Sequence, residues 1–281
     1  MVSEDVRRAH LVGALAGLCV GGAVAFLVGR MTALPESSFE ARGSGSAVAS
    51  TAPAALPPLN SFPEVSFAQQ GEDLVIKEIF AELRIAHATY MDVGAYDPIH
   101  GSNTYLFYAL GSQGVVVEPN PAYASRLRTT RPRDTVVEAG IGVTNETSAD
   151  YFEFEDDQDN TFSKEQADKL TRLGMPIKRT VKMPLVPINE LLAAQFPGGG
   201  PSLLSIDTEG LDLAILRTLD FRRFRPPVVC VETLEIGTMH VIEDIGAFMR
   251  GQGYAERGGT FVNTIFVDEQ AIARAERQQK E

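Results

Sequence analysis

A buried strand that ends in a glycine turn constrains the fold of this chain more than any other feature. The apolar run Tyr90–Ala95 predicts this strand and turn, and the run Gly114–Glu118 predicts a second buried strand that ends in a carboxylate. A helix between two such strands makes them parallel neighbours in an open sheet, whose ligands bind at the carboxyl ends of the strands. We therefore expect Gly94 and Glu118 side by side at a ligand site. There Glu118 can accept hydrogen bonds from the two hydroxyls of a ribose, which predicts a nucleoside site.

The glycine turn lacks the features of a dinucleotide site. A pyrophosphate-binding turn carries G-x-G-x-x-G at the start of a helix, whereas the next glycine after Gly94 is Gly101. Asp97, which lies between them, would also repel a phosphate. An acidic turn without a phosphate site suits a nucleoside cofactor that has a positive centre, and S-adenosylmethionine has this chemistry. A nicotinamide-dependent oxidoreductase is the rival enzyme class, which the missing glycines disfavour.

The composition of the chain limits its partners. The 281 residues suffice for one large α/β domain with accessory segments, and their formal net charge is −12. Because no basic stripe is present to neutralise phosphates, we do not expect nucleic acid as the main partner. Cys19 and Cys230 provide no disulfide framework, so cysteine usage does not indicate the redox compartment.

An uncharged apolar run covers residues 11–29, after a short N-terminal tail at 1–10. At about 1.5 Å per residue the run spans roughly 28 Å, close to the thickness of a bilayer core. It predicts a membrane localisation through an uncleaved single-pass anchor, although Ala-rich sites beyond it leave cleavage open. Gly13, Gly17 and Gly21 would lie on one helix face and permit a homodimer contact in lipid, or they reflect an Ala/Gly-rich span. The flanking arginines do not decide the orientation.

The rest of the chain divides into a linker, a globular domain and a tail. Residues 30–61 are rich in Ala, Ser, Gly and Pro and predict a flexible linker. A globular domain is predicted over 62–269 and a charged C-terminal tail over 270–281. Within the domain, predicted strands and helices alternate except in an irregular acidic section at 150–160. The predicted strands are 89–94, 114–118, 135–139, 181–186, 203–207, 228–232, 253–257 and 260–267.

The predicted fold class is α/β, a doubly wound and mostly parallel seven-stranded sheet. Alternating strands and helices imply a parallel sheet that helices cover on both faces. The last two strands flank the turn Gly258–Gly259, which is too short for a parallel crossover. The sheet is therefore expected to end in an antiparallel hairpin.

Five motifs that follow one another in the domain resemble the FkbM family of methyltransferases. They are Phe67–Asp73, Asp92–Ala95, Ser102–Tyr105, Val117–Pro121 and Ser205–Gly210. The resemblance covers about residues 62–268, and it implies the class I S-adenosylmethionine-dependent methyltransferase fold, which is Rossmann-like. It places Asp92, Gly94 and Ala95 around the methionine part of the cofactor and Glu118 on the ribose. It also implies that two further residues belong to the cofactor site, Asn103 and Asn120. The loop 96–101 departs from the family because it lacks the second early glycine that many relatives carry.

Four carboxylates end predicted parallel strands, namely Asp92, Glu118, Asp207 and Glu232. One such residue is usually a helix cap or a surface group, but four at one edge of a sheet indicate the binding crevice. Transfer of a methyl group to a hydroxyl requires alignment and the removal of a proton, for which a partly desolvated carboxylate or a histidine can be the general base. The candidates for this base are, in order, Asp207, Glu209, His240 and Glu232.

The predicted function is a membrane-anchored S-adenosylmethionine-dependent O-methyltransferase. The family resemblance implies that its acceptor is a hydroxyl on a sugar, a glycan or another secondary metabolite. Asp207, Glu209 and Glu232 could together hold a hard cation through oxygen ligands, but no spacing demands one and we assign no metal. The alternative is a non-catalytic, membrane-tethered module that binds the nucleoside cofactor without turnover.

Overall fold

A computed structural model describes residues 65–280 of the chain. The predicted anchor at 11–29, with its possible dimer contact, and the predicted linker at 30–61 therefore lie outside the described residues. Between residues 65 and 280, no helix is long and apolar enough to cross a lipid bilayer.

Strands and helices alternate along most of the described chain. The strands are β1 Thr89–Val93, β2 Gln113–Val117, β3 Thr135–Val137, β4 Gly140–Gly142, β5 Ser148–Glu153, β6 Arg179–Pro187, β7 Leu203–Ile206, β8 Val228–Glu232, β9 Tyr254–Gly259 and β10 Asn263–Asp268. The helices are α1 Glu72–Glu82, α2 Tyr105–Ala109, α3 Pro121–Thr130, α4 Lys164–Arg172, α5 Ile188–Gln195, α6 Asp212–Thr218, α7 Glu243–Gly251 and α8 Glu269–Gln278, with a short 3₁₀ helix at Asp157–Asp159.

The main sheet has seven strands in the order β3-β2-β1-β7-β8-β10-β9. Strands β3, β2, β1, β7 and β8 pair in parallel, and β10 lies antiparallel to both β8 and β9. Residue Met91 of β1 lies opposite Val115 of β2 and Leu204 of β7, which fixes the register at the centre. The mostly parallel seven-stranded sheet with a terminal antiparallel hairpin is thus confirmed.

Both faces of the main sheet are buried. Successive side chains of a strand point to opposite faces, so Met91 packs in one hydrophobic cluster with α5, α6 and α7, while Tyr90 packs in the other with α1 and α2. The sequences of strands that are covered on both faces are near-continuous apolar runs. Leu203–Ile206 is an example, because every residue in it is buried. The result is a rigid platform whose carboxyl edge carries the strand-ending carboxylates.

A second sheet of three strands, in the order β4-β6-β5, was not expected. Part of the section predicted to be irregular belongs to β5. This strand was not predicted from the sequence, because its side chains are largely polar and their partners on β6 lie far away in sequence. In the antiparallel register with β6, Asp150 is opposite Lys182 and Glu153 is opposite Arg179, and both pairs form ion pairs. Opposite charges directly across a ladder stabilise it.

The C-terminal hairpin and tail also differ from the prediction. Gly258 and Gly259 belong to β9, and the chain turns between β9 and β10. The predicted charged tail is largely helix α8. Asp268 caps this helix, because its carboxylate accepts a hydrogen bond from the N–H of Gln270 at 3.0 Å. The small residues Ala271 and Ala275 are buried against the domain.

Candidate active site

A cavity of about 490 Å³ lies at the carboxyl ends of β2, β1, β7 and β8. The four strand-ending carboxylates, Asp92, Glu118, Asp207 and Glu232, all line it. This is the edge at which open α/β sheets bind ligands, and the volume is typical of a site for a small molecule. The described residues that line the cavity include further acids but neither lysine nor arginine. Such a lining favours ligands that carry positive charge.

Backbone contacts with β2 and β7 determine the conformation of the glycine turn after β1. Gly94 has a φ of +84°, and the N–H groups of Gly94 and Ala95 both donate to the carbonyl of Val117 at 3.0 and 3.1 Å. A Cβ atom at Gly94 would lie 1.7 Å from the carbonyl oxygen of Asp207. Glycine is therefore required where β1 and β7 end side by side.

Glu118 is nearly fully buried, and each of its carboxylate oxygens accepts one backbone hydrogen bond. The N–H of Tyr96 donates to Oε2 at 2.8 Å and the N–H of Asn120 donates to Oε1 at 2.7 Å. A carboxylate oxygen accepts two hydrogen bonds, so one site remains on each oxygen, an arrangement that suits two neighbouring hydroxyls. Burial raises the pKa of Glu118 to about 7, although the two N–H donors act to lower it. The side chain of Asn120 caps α3 by accepting from the N–H of Ala122.

Asp92 and Asn103 lie next to each other on the same wall of the cavity. Thr104 Oγ1 donates to Asp92 Oδ2 at 2.5 Å, and Asn103 Nδ2 donates to Ser205 Oγ at 3.2 Å. Burial raises the pKa of Asp92, and the nearby Arg131 acts to lower it. The amide oxygen of Asn103 is buried without a hydrogen-bond partner. Such an orphan acceptor is costly unless a ligand supplies a donor.

The residues on this side of the cavity fit S-adenosylmethionine. Glu118 offers two acceptors for a ribose, while the Asp92 carboxylate and the free amide oxygen of Asn103 offer acceptors for an ammonium group. Ala95 is buried beside them and lines the cavity. The acidic lining also suits a sulfonium.

Two tyrosines that the sequence analysis missed form another part of the wall. The rings of Tyr96 and Tyr123 lie 4.3 Å apart between centroids. The hydroxyl of Tyr123 lies 3.1 Å from that of Tyr96 and 3.2 Å from Oδ2 of Asp157. Tyr96 has a φ of +46°, which is uncommon for a large side chain. Its position directly after the glycine turn was the available signal, but nothing in the sequence predicts the positive φ.

Three of the four candidate catalytic residues meet in the cavity. Oxygen atoms of Asp207, Glu209 and Glu232 all lie within 4.8 Å of one another. Burial and mutual repulsion raise the pKa of Asp207 to about 7 and hold the pKa values of the other two well above their usual range. Asp207 and Glu232 lie close enough for each to shift the pKa of the other. The spacing would also admit a hard cation.

The structure does not bring His240 to this cluster. His240 is exposed in the loop after β8 and does not line the cavity. A short antiparallel bridge between Leu234 and Val241 forms this loop, and the carbonyl of His240 accepts from the N–H of Glu235 at 2.9 Å. Its place at the correct edge of the sheet was predictable, but its exposure was not.

Comparisons with known proteins give one family match. A family model described as "Methyltransferase FkbM domain" matches residues 92–255, and no curated protein matches the chain.

Comparison with solved structures gives matches of low sequence identity, of which three are described. A TehB-like SAM-dependent methyltransferase from Corynebacterium glutamicum is 9% identical with a TM-score of 0.39, over 71% of this chain and 88% of that chain. A putative hemolysin from Streptococcus thermophilus is 14% identical with a TM-score of 0.38, over 78% and 77%. Magnesium protoporphyrin IX methyltransferase from Synechocystis with bound SAM is 10% identical with a TM-score of 0.37, over 74% and 86%.

Proposed function

Because this chain belongs to the FkbM methyltransferase family and depends on S-adenosylmethionine, we propose that it methylates a hydroxyl on a sugar, a glycan or another secondary metabolite. The observation that carries this proposal is the meeting of Asp207, Glu209 and Glu232 in the same cavity as the glycine turn. A hydroxyl is a weak nucleophile until it loses its proton, and a cluster of partly buried carboxylates is suited to accept that proton.

Different residues of the cavity would bind different parts of the cofactor. When bound, S-adenosylmethionine supplies an electrophilic methyl group on a positively charged sulfur. Glu118 would hold the ribose hydroxyls through the free acceptor site on each carboxylate oxygen. Asp92 and the amide oxygen of Asn103 would accept hydrogen bonds from the ammonium group of the methionine part. The acidic lining stabilises the positive charge in a partly desolvated site.

Asp207 is the group that we propose takes the proton of the acceptor. A pKa of about 7 leaves a substantial fraction of Asp207 ionised at neutral pH, and a base works best when its pKa lies near the working pH. Glu209 and Glu232, whose pKa values are also held well above their usual range, would lie beside the acceptor hydroxyl and orient it. Together the three side chains position the hydroxyl and remove its proton.

An assay with matched acceptors tests the proposal. The full-length protein is incubated with S-adenosylmethionine that carries a labelled methyl group and with sugars that bear either free hydroxyls or amines in place of selected hydroxyls. Label on a hydroxyl oxygen supports the proposal, whereas label on the amines alone would contradict it. Tight cofactor binding without transfer to any acceptor would favour the non-catalytic binding module.

We also propose that residues 11–29 anchor the enzyme to a membrane. Their length and lack of charge support this attachment. Fractionation of cells that express the full chain should place it with the membranes, and a variant that lacks only these residues should not sediment there. Equal amounts of both proteins in the supernatant would contradict the anchor.

A further inference from the structure

The motif Ser102–Thr104 connects the cavity to a buried arginine. Arg131 Nη2 donates to Thr104 Oγ1 at 3.0 Å, and Thr104 Oγ1 donates to Asp92 Oδ2 at 2.5 Å. A guanidinium can only donate, and a hydroxyl has one proton. Thr104 thus accepts from Arg131 and donates to Asp92, which is much closer to Thr104 Oγ1 than the hydroxyl of Ser102 at 3.4 Å.

Arg131 is itself held from several sides. It is fully buried, and its Nε donates to Asp134 Oδ2 at 2.7 Å. Asp134 also accepts from the hydroxyl of Tyr90 at 2.7 Å and from the N–H of Gly114 at 2.9 Å. The guanidinium carbon lies 5.3 and 5.4 Å from the ring centroids of Tyr90 and Tyr108. These contacts leave Arg131 little freedom, so the position of Thr104 is fixed as well.

Arg131 makes other polar contacts besides its ion pair with Asp134. A buried ion pair is weak evidence for a stabilising role, because desolvation can exceed the attraction. Its guanidinium forms an ion pair with Asp134 and also donates to the hydroxyls of Ser102 and Thr104. Thr104 therefore links the positively charged guanidinium to the Asp92 carboxylate on the wall of the cavity by two hydrogen bonds.

We propose that Thr104 and Arg131 are positioning residues for the cofactor, which fix the direction of the Asp92 carboxylate on the cavity wall and favour its charged form. The inference rests on the proposed role of Asp92 toward the cofactor's ammonium group. It gives a function to the Ser102–Thr104 motif that goes beyond the contact assigned to Asn103.

Several other charged or titratable groups surround Asp92 and enter any dependence on pH. Arg131 and Asp134 act on it from the buried network. Asp92 in turn acts on Glu118 and Asp207 in the cavity and on the thiol of Cys230 in β8. A change at Thr104 leaves all of these groups in place. A substitution of Thr104 therefore tests the link between Arg131 and Asp92 without removing any other charged group.

The test compares Thr104→Val with Thr104→Ser in the full-length protein. Affinity for S-adenosylmethionine is measured by calorimetric titration from about pH 5.5 to about pH 8.5. Thr104→Val removes one of the side-chain donors to Asp92, so affinity should fall about tenfold. The pH below which affinity is lost should also move upward, because the carboxylate becomes easier to protonate. Thr104→Ser keeps the hydroxyl and should match the wild type in both respects.

Two further variants separate the possible outcomes. Asp92→Asn should weaken binding and remove the shift that Thr104→Val causes. If Asp92→Asn binds the cofactor like the wild type, the proposed role of Asp92 fails. If Asp92→Asn weakens binding but folded Thr104→Val keeps the wild-type affinity and pH profile, the positioning role alone is overturned. Should Thr104→Val not fold, Thr104→Ala removes the same hydroxyl without placing a methyl group against Arg131, and the same comparison applies.

Discussion

Glu118 shows how one buried side chain can define the cofactor side of the cavity. Replacement with alanine removes an acceptor that is fixed in place by two backbone N–H groups. We expect Glu118→Ala to weaken the binding of S-adenosylmethionine by about 1–3 kcal/mol, because hydrogen bonds to a charged group are lost. Calorimetric titration measures the change. Glu138→Ala is the matched control and should bind the cofactor normally, since Glu138 is a partly exposed residue that does not line the cavity. Unchanged affinity in folded Glu118→Ala would refute the ribose assignment.

Asp207 is the residue on which the proposed chemistry depends most. A base must be ionised to act, so methyl transfer should decline as the pH falls below about 7, the pKa of Asp207. Asp207→Asn should lower turnover by about 10²–10⁴-fold and remove this decline, while cofactor affinity stays close to that of the wild type. Asp168→Asn, which changes an exposed carboxylate on α4, should retain full activity. Full activity in Asp207→Asn would exclude Asp207 as the base.

The sequence predicted where the strand-ending carboxylates lie but not what surrounds each of them. Asp92, Glu118, Asp207 and Glu232 follow from the ends of apolar runs, which register in a parallel sheet brings to one edge. The network behind Asp92 could not be predicted, because Arg131 reaches it only through tertiary packing. Local sequence carries no signal for such contacts.

At the scale of secondary structure elements, the junction of β1 and β7 is the most constrained part of the fold. In Gly94→Ala, the alanine would have to adopt a positive φ, and its Cβ atom would overlap the carbonyl oxygen of Asp207. The matched control is Gly111→Ala, which has a φ of +100° and no atom within 4 Å of the added methyl group. We expect Gly111→Ala to cost about 1–2 kcal/mol and Gly94→Ala more than about 4 kcal/mol. Chemical denaturation gives both free energies of unfolding. Equal costs would show that the overlap is relieved without strain.

Elements with two buried faces were predictable, and elements stabilised by distant partners were not. The run Val228–Glu232 reads as a central strand because nearly all its side chains are apolar and buried. Strand β5 carries Asp150 and Glu153, whose ion-pair partners on β6 are separated from them by many residues. Helix α8 has a polar surface and only small buried residues, so its sequence resembles a tail.

At the scale of the whole molecule, burial of carboxylates makes stability depend on pH. The pKa of Glu118 is about 7 in the folded protein and close to 4.5 when exposed. A group whose pKa is raised by folding contributes stability below its unfolded pKa, and this contribution is lost as the pH rises through the folded value. The free energy of unfolding of the wild type, relative to Glu118→Gln, should therefore fall between about pH 5 and pH 8. A relative stability that rises with pH would contradict the raised pKa.

Calorimetric titration of the full-length protein with S-adenosylmethionine, with its demethylated product and with NAD tests the central claim most directly. The acidic cavity with its glycine turn and Glu118 should bind the first two saturably, because both carry the ribose and the ammonium group that the cavity fits. It should not bind NAD, whose pyrophosphate would meet an acidic wall. Saturable binding of NAD, or no binding of either S-adenosyl compound, would contradict the account.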